Sequence, residues 1–153
     1  MKKILTPLSE GKLQELSKYM PSFDIATTHM LCSNYVLPEW FIHQHANKFD
    51  WDLLNEYQDL TEQFIEAHLD NVNNYGTWEN LSRHQTLSID FMRKYKEKID
   101  WDEIGYNNVL SREIIQEFFE YLDIEDIKRR NIIENFMTIE ELESLEIMRK
   151  IIE

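Results

Sequence analysis

Leu37, Leu60, Leu87 and Leu110 open four segments that can be laid over one another, and this internal repeat constrains the fold more than any other feature of the chain. The intervals are 23, 27 and 23 residues, the longer one explained by four extra residues around Asn73–Gly76. Read from Leu87, the unit is Leu-Ser-x-x-Phe-Met-x-x-Tyr-x-x-x-Ile-Asp-Trp-x-x-Ile, followed by polar residues and the next Leu. A period in the twenties is the mark of supersecondary units that bury their apolar faces against one another, and such arrays usually bind macromolecules.

Each unit reads as a helix of about three turns, a tight corner and a shorter helix. From Leu110, Ser111 is an N-cap with Glu113 in the first turn, and Ile114, Ile115, Phe118 and Leu122 form one helical face. Asp123 then caps a short helix holding Ile124 and Ile127. From Leu87 the same roles fall to Ser88, then Phe91, Met92, Tyr95 and Ile99, then Asp100, Trp101 and Ile104. From Leu60 they fall to Thr61, Phe64, Ile65, His68, Val72, Thr77, Trp78 and Leu81, and from Leu37 to Pro38, Phe41, Ile42, His45, Phe49, Asp50, Trp51 and Leu54. With only 3 Gly and 3 Pro in 153 residues, a mostly helical chain is expected. The expected fold is all-α: one solenoid-like domain over residues 1–153, with core repeats at 37–59, 60–86, 87–109 and 110–136. Degenerate caps at 8–36 and 137–153 turn polar to end the core, Lys12 and Glu141 replacing core apolar residues. Residues 21–36 fit the unit poorly.

Gln58, Gln85, Asn108 and Asn135 each stand two residues before a repeat-opening Leu or Met. A ladder of side-chain amides at these corners would bond exposed backbone groups of the neighbouring turn; recognition of a ligand is the alternative. Trp51, Trp78 and Trp101 are in register and read as core, whereas Trp40 lies one position before the apolar stripe and reads as partly exposed.

The pattern resembles short tandem αα-repeat proteins of bacteriophages and giant viruses. The resemblance is carried by Leu87-Ser88-x-x-Phe91-Met92, by Ile99-Asp100-Trp101-x-x-Ile104 and by their counterparts from Leu37, Leu60 and Leu110, and covers most of residues 37–127. It implies a small accessory protein acting on a host or defence component, in the manner of an anti-CRISPR inhibitor. It implies no shared active site.

Catalytic chemistry is sparse. His43 and His45 are two apart and point roughly 200° apart on a helix, while His45 and His68 occupy the repeat position of Tyr95 and Phe118; His29 and His84 have no evident partners, so no metal site is expected. Cys32 lies in the apolar run Met30-Leu31-Cys32 and reads as a buried hydrophobe. No nucleophile elbow, phosphate loop or Rossmann fingerprint is present. Asp50-Trp-Asp52 and Asp100-Trp-Asp102-Glu103 resemble calcium loops only superficially, and N-capping is the simpler account. No catalytic residue and no cofactor are expected.

Charge is the remaining signal. The net charge is −13, from 29 acids against 16 Lys and Arg, which disfavours nucleic acid and anionic membrane as direct partners. Between Lys48 and Arg83 there is no Lys or Arg, while Asp50, Asp52, Glu56, Asp59, Glu62, Glu66, Asp70 and Glu79 all fall there. One account is a solvated outer face. The other is a row of fixed carboxylates that imitates a phosphate backbone and occupies the nucleic-acid site of a basic protein, such as a nuclease. On that account the contacts are Asp52, Glu56, Glu62, Glu66, Asp70 and Glu79, with Trp40 as an apolar anchor. The alternatives are an adaptor or homo-oligomeric module with a hydrophobic interface, and a hydrolase built on His and carboxylates of the 43–68 region. A single Cys and the lack of any apolar run of signal-peptide or membrane-span length lead to the expectation of a cytoplasmic protein, in the host cytoplasm if viral.

Overall fold

The structure is a computed structural model describing residues 4–72, 75–106, 110–129 and 137–152. Its described residues are mostly helical, with two-residue strands as the exception. The chain forms two compact units, Met1–Gln85 and Thr86–Glu153.

In the first unit, α1 (Glu10–Tyr19) runs through a short 3₁₀ turn into α2 (Ile25–Asn34). Strands β1 (Thr6–Pro7) and β2 (Tyr35–Val36) pair in parallel, Thr6 with Tyr35 and Pro7 with Val36, tying the start of the described chain to the end of α2. Then come α3 (Glu39–Gln44), α4 (Trp51–Tyr57), α5 (Glu62–Ala67), α6 (Leu69–Val72) and α7 (Tyr75–His84). Helix α4 packs against both α2 and α7. The second unit holds α8 (Ile89–Lys94), α9 (Trp101–Tyr106), α10 (Arg112–Glu117), α11 (Ile124–Arg129) and α12 (Ile139–Ile152).

Burial follows the repeat position by position. The opening residues Leu37, Leu60, Leu87, Leu110 and Met137 are all buried. So are the pairs Phe41–Ile42, Phe64–Ile65, Phe91–Met92 and Ile114–Ile115, the set Phe49, Val72, Ile99 and Leu122, and the set Leu54, Leu81, Ile104 and Ile127. Capping also recurs: the hydroxyls of Thr61, Ser88 and Ser111 accept from the N–H groups of Phe64, Phe91 and Ile114 at 3.2, 3.1 and 3.3 Å. The carboxylates of Asp50, Asp100 and Asp123 accept from Asp52, Glu103 and Asp126 N–H at 3.0, 3.1 and 2.9 Å, so these aspartates act as caps.

The first helix of each unit departs from the expected three turns: α3, α5, α8 and α10 have six residues each. Each ends at the same repeat position, His45, His68, Tyr95 or Phe118, with φ between −109° and −123° and ψ between 22° and 26°. That bridge-region conformation turns the chain without displacing the aromatic side chain from the apolar face.

The amide ladder forms at both of its described rungs. Leu37 N–H donates to Gln58 Oε1 at 2.9 Å, and Gln58 Nε2 donates to the carbonyls of Cys32 and Tyr35 at 2.7 and 2.9 Å. Leu60 N–H donates to Gln85 Oε1 at 3.0 Å, and Gln85 Nε2 donates to the carbonyls of Asn55 and Gln58 at 2.6 and 2.7 Å. Each glutamine thus grips the opening Leu and the carbonyls two and five residues before it. Asn108 and Asn135 lie outside the described residues.

Two expectations about the ends change. Glu141 occupies a core position of the repeat because it closes a capping box on α12: Thr138 N–H donates to Glu141 Oε2 at 2.9 Å and Glu141 N–H to Thr138 Oγ1 at 3.2 Å, with Arg112 paired to the same carboxylate. The ends also carry exposed apolar side chains, Tyr19, Ile25 and Met30 at one and Ile147, Met148 and Ile151 at the other, so they are less polar than expected of caps.

The Thr138 N–H bond and Arg112 hold Glu141 below its ordinary value of 4.5, and hydrogen bonds from Thr27 hold Asp24, the cap of α2, below 3.8. A carboxyl lowered on folding stabilises at neutral pH, and that contribution is lost as pH falls through its folded value. Helical circular dichroism is therefore expected to decline as pH drops from about 5 to about 3, and less steeply in Glu141→Gln and Asp24→Asn variants; identical acid profiles would contradict this.

Candidate functional site

The six acids and the tryptophan singled out by charge and register lie on five helices of the first unit. Trp40 is on α3, Asp52 and Glu56 on α4, Glu62 and Glu66 on α5, Asp70 on α6 and Glu79 on α7. Asp52 and Glu56 are one helical turn apart, as are Glu62 and Glu66, so each pair lies along one face of its helix. None of the six acids is buried.

They are not equivalent. Asp52 Oδ1 accepts from Thr77 Oγ1 at 2.7 Å, bracing α4 against α7. Glu79 pairs with Arg83 on the same helix at 2.8 Å. Glu56 hydrogen-bonds Tyr57 and, by its charge, raises the phenol above its ordinary value. Asp70 is exposed at the start of α6. Asp52 and Glu79 therefore serve the fold locally, whereas Asp70 is exposed and Glu56 is half-buried beside Tyr57.

Trp40 is 44% exposed, its ring edge-on to the buried Phe41 with centroids 5.7 Å apart. The equivalent positions of the other units hold Gln63, Asp90 and Glu113, all exposed polar residues. An indole thus stands where the repeat otherwise meets water. By contrast Trp51 and Trp78 are buried and Trp101 is half-buried. Trp51 Nε1 donates to Ala46 O at 3.2 Å and Trp101 Nε1 to Lys96 O at 2.9 Å, five residues back in each case. Each ring then meets the helix-ending aromatic of the next unit: Trp51 lies 5.2 Å from His68, and Trp101 lies 4.8 Å from Phe118.

The histidines come together in a way that spacing within one helix does not reveal. His43 Nδ1 lies 2.9 Å from His68 Nε2, and His68 Nδ1 lies 2.9 Å from the Phe64 carbonyl. A carbonyl only accepts, so His68 Nδ1–H donates to it, and in the neutral ring Nε2 then accepts a hydrogen bond from His43 Nδ1–H. His45 bonds Ser17 Oγ at 3.1 Å, and burial lowers its pKa from the ordinary value of 6.5. His29 approaches Asp50 at 3.6 Å. Among the described residues no three His, Cys, Asp or Glu side chains are grouped to hold a metal ion. Cys32 is buried, and desolvation together with the nearby Asp50 charge pushes its thiol up to about 12, which removes the thiolate a nucleophile needs.

His68 thus occupies a packing position. His68→Phe, which installs the ring found at Phe118, is expected to change stability by about 1 kcal/mol or less, while His68→Ala opens a hole beside Trp51 and Phe64 and costs about 2–4 kcal/mol in urea unfolding. Equal losses for the two variants would mean that the His43 and Phe64 hydrogen bonds, not ring packing, set the value of this position.

Among the described residues no helix is long and apolar enough to cross a membrane. Compared with models of protein families, with curated proteins and with solved structures, the chain has no match in any of the three.

Proposed function

We propose that this chain is a non-enzymatic, phage-encoded protein-binding inhibitor that occupies the nucleic-acid site of a basic host protein, such as an immune nuclease, in the host cytoplasm. On this reading consecutive repeats within each unit stack in solenoid-like fashion, and their outer carboxylates present negative charge at fixed spacing. The recurring Gln58 and Gln85 bonds, and the recurring Trp51 and Trp101 contacts, support stacking of consecutive units. The viral origin rests on the resemblance to phage and giant-virus repeat proteins.

The observation that carries the reading is the stretch between Lys48 and Arg83, free of Lys and Arg, whose candidate acids are not buried, together with an exposed Trp40 in a register position that is otherwise polar. An exposed indole is a common interface anchor. Glu56, Glu62, Glu66 and Asp70 supply the charge; Asp52 and Glu79 hold the scaffold and add to the field.

The test is capture from a bacterial lysate by the immobilised full chain. A nucleic-acid-binding protein retained at low salt, released at about 1 M salt where the screening length falls to roughly 3 Å, and displaced by duplex DNA supports the mimic. A partner that resists both salt and DNA contradicts it.

A further inference from the structure

Two histidines meet ring to ring across neighbouring repeats. His68 ends α5 and is held by three contacts: its Nδ1–H donates to the Phe64 carbonyl at 2.9 Å, and its ring lies 4.2 Å from that of Phe64 and 5.2 Å from that of Trp51. Its Nε2 is left over, and His43 Nδ1 stands 2.9 Å away. His68 is buried, whereas His43, on α3, is exposed. At the next two junctions the same register matches Glu66 with Tyr95 and Arg93 with Phe118, so an imidazole is matched with an imidazole here alone.

We propose that His43 Nδ1 and His68 Nε2 form a chelating pair for a divalent transition ion of the nickel or copper type. Neutral imidazole nitrogen suits these ions. A ligating histidine commonly donates its other N–H to a backbone carbonyl, which fixes the tautomer and aims the lone pair, and Phe64 does this for His68. Spacing selects the ion. Two metal–nitrogen bonds of about 2.0–2.1 Å put the nitrogens about 2.9 Å apart at a right angle, and about 3.3–3.4 Å apart at the tetrahedral angle. The observed 2.9 Å matches adjacent corners of a square or octahedral ion rather than of tetrahedral zinc. Binding takes no net proton from the neutral pair: His43 moves its proton from Nδ1 to Nε2, and its exposed ring turns until both lone pairs meet at the ion. Among the described residues no third His, Cys, Asp or Glu completes a cluster, so water fills the other positions and the affinity is moderate. The site uses neither Trp40 nor the six candidate acids, and stands apart from the inhibitor reading.

Calorimetric titration of the untagged full chain with Ni²⁺ tests it, in about 5 mM Mg²⁺ so that the harder ion occupies surface carboxylates. Wild type is expected to bind a single Ni²⁺ with a dissociation constant of about 10–100 µM. His43→Ala and His68→Phe each remove one nitrogen and are expected to weaken binding at least about tenfold, while His29→Gln and His84→Gln leave it unchanged. His68→Phe keeps an aromatic ring between Trp51 and Phe64, so its loss of binding is not a loss of fold, which helical circular dichroism checks. His43→Ala, at an exposed position, carries the test should His68→Phe lose helical signal. No binding at about 1 mM Ni²⁺ overturns the proposal. So does undiminished affinity in either variant, which places the ion on carboxylates or on another histidine. Tighter binding of Zn²⁺ than of Ni²⁺ overturns it as well, since a tetrahedral ion does not fit the right-angled pair.

Discussion

Gln85→Ala is expected to lower stability by about 3–5 kcal/mol. The side chain is 2% exposed and makes three bonds to main chain: it accepts from Leu60 N–H and donates to the carbonyls of Asn55 and Gln58. Truncation strands a buried donor and removes a partner from two buried carbonyls, each loss worth roughly 1–3 kcal/mol, with partial recovery where water enters the hole. Gln85→Glu sharpens the test. The carboxylate keeps the shape and still accepts from Leu60, but its second oxygen then faces two carbonyls and repels them unless protonated. Such a group has a raised folded pKa, so its deficit is smallest below about pH 4 and grows as pH rises, opposite to the trend of Asp24 and Glu141. Urea unfolding of both variants across pH measures this. A loss under about 1 kcal/mol for Gln85→Ala would show that water substitutes for the amide and that the ladder contributes little.

The same glutamine shows how far the sequence could be read. Its position two residues before an opening Leu was enough to assign it to backbone groups at a corner, and the core sets at Leu37, Phe41–Ile42, Phe49 and Leu54 recur in every unit as periodicity indicates. The chain break at His45, His68, Tyr95 and Phe118 was not legible. A turn into the bridge region that leaves the aromatic on the apolar face keeps the helical spacing intact, and no Gly or Pro marks it. The β1–β2 pair is two residues per strand, too short for any alternation to register. Among the candidate contacts, exposure of Trp40 followed from its place beside the stripe, whereas the bond from Thr77 to Asp52 did not, because it joins units 25 residues apart. The His43–His68 contact has the same character. Its signal would have been an alignment of adjacent units: Arg93, which matches His43, meets Glu117, the neighbour of the residue matching His68.

The triple variant Glu56→Lys, Glu62→Lys and Asp70→Lys is expected to bind the captured partner at least about 100-fold more weakly, because each reversal replaces an attraction with a repulsion against a basic surface. Surface changes of this kind move stability by about 0.5 kcal/mol each, so the thermal melt should stay close to wild type. Asp52→Lys differs: losing the Thr77 bond between α4 and α7 makes stability and affinity fall together, and the two effects cannot be assigned to the interface alone. Trp40→Ala supplies the contrast. Removal of an exposed indole leaves the core intact, weakens binding by about 10- to 100-fold, and shifts the curve of affinity against salt without changing its slope. The triple variant flattens that slope, since fewer charges remain to be screened. Two variants with separate signatures, one in slope and one in offset, divide the carboxylate row from the apolar anchor. Unchanged affinity in the triple variant would reduce the acids to a solvated face, and an unchanged offset in Trp40→Ala would remove the anchor while leaving the charge argument standing.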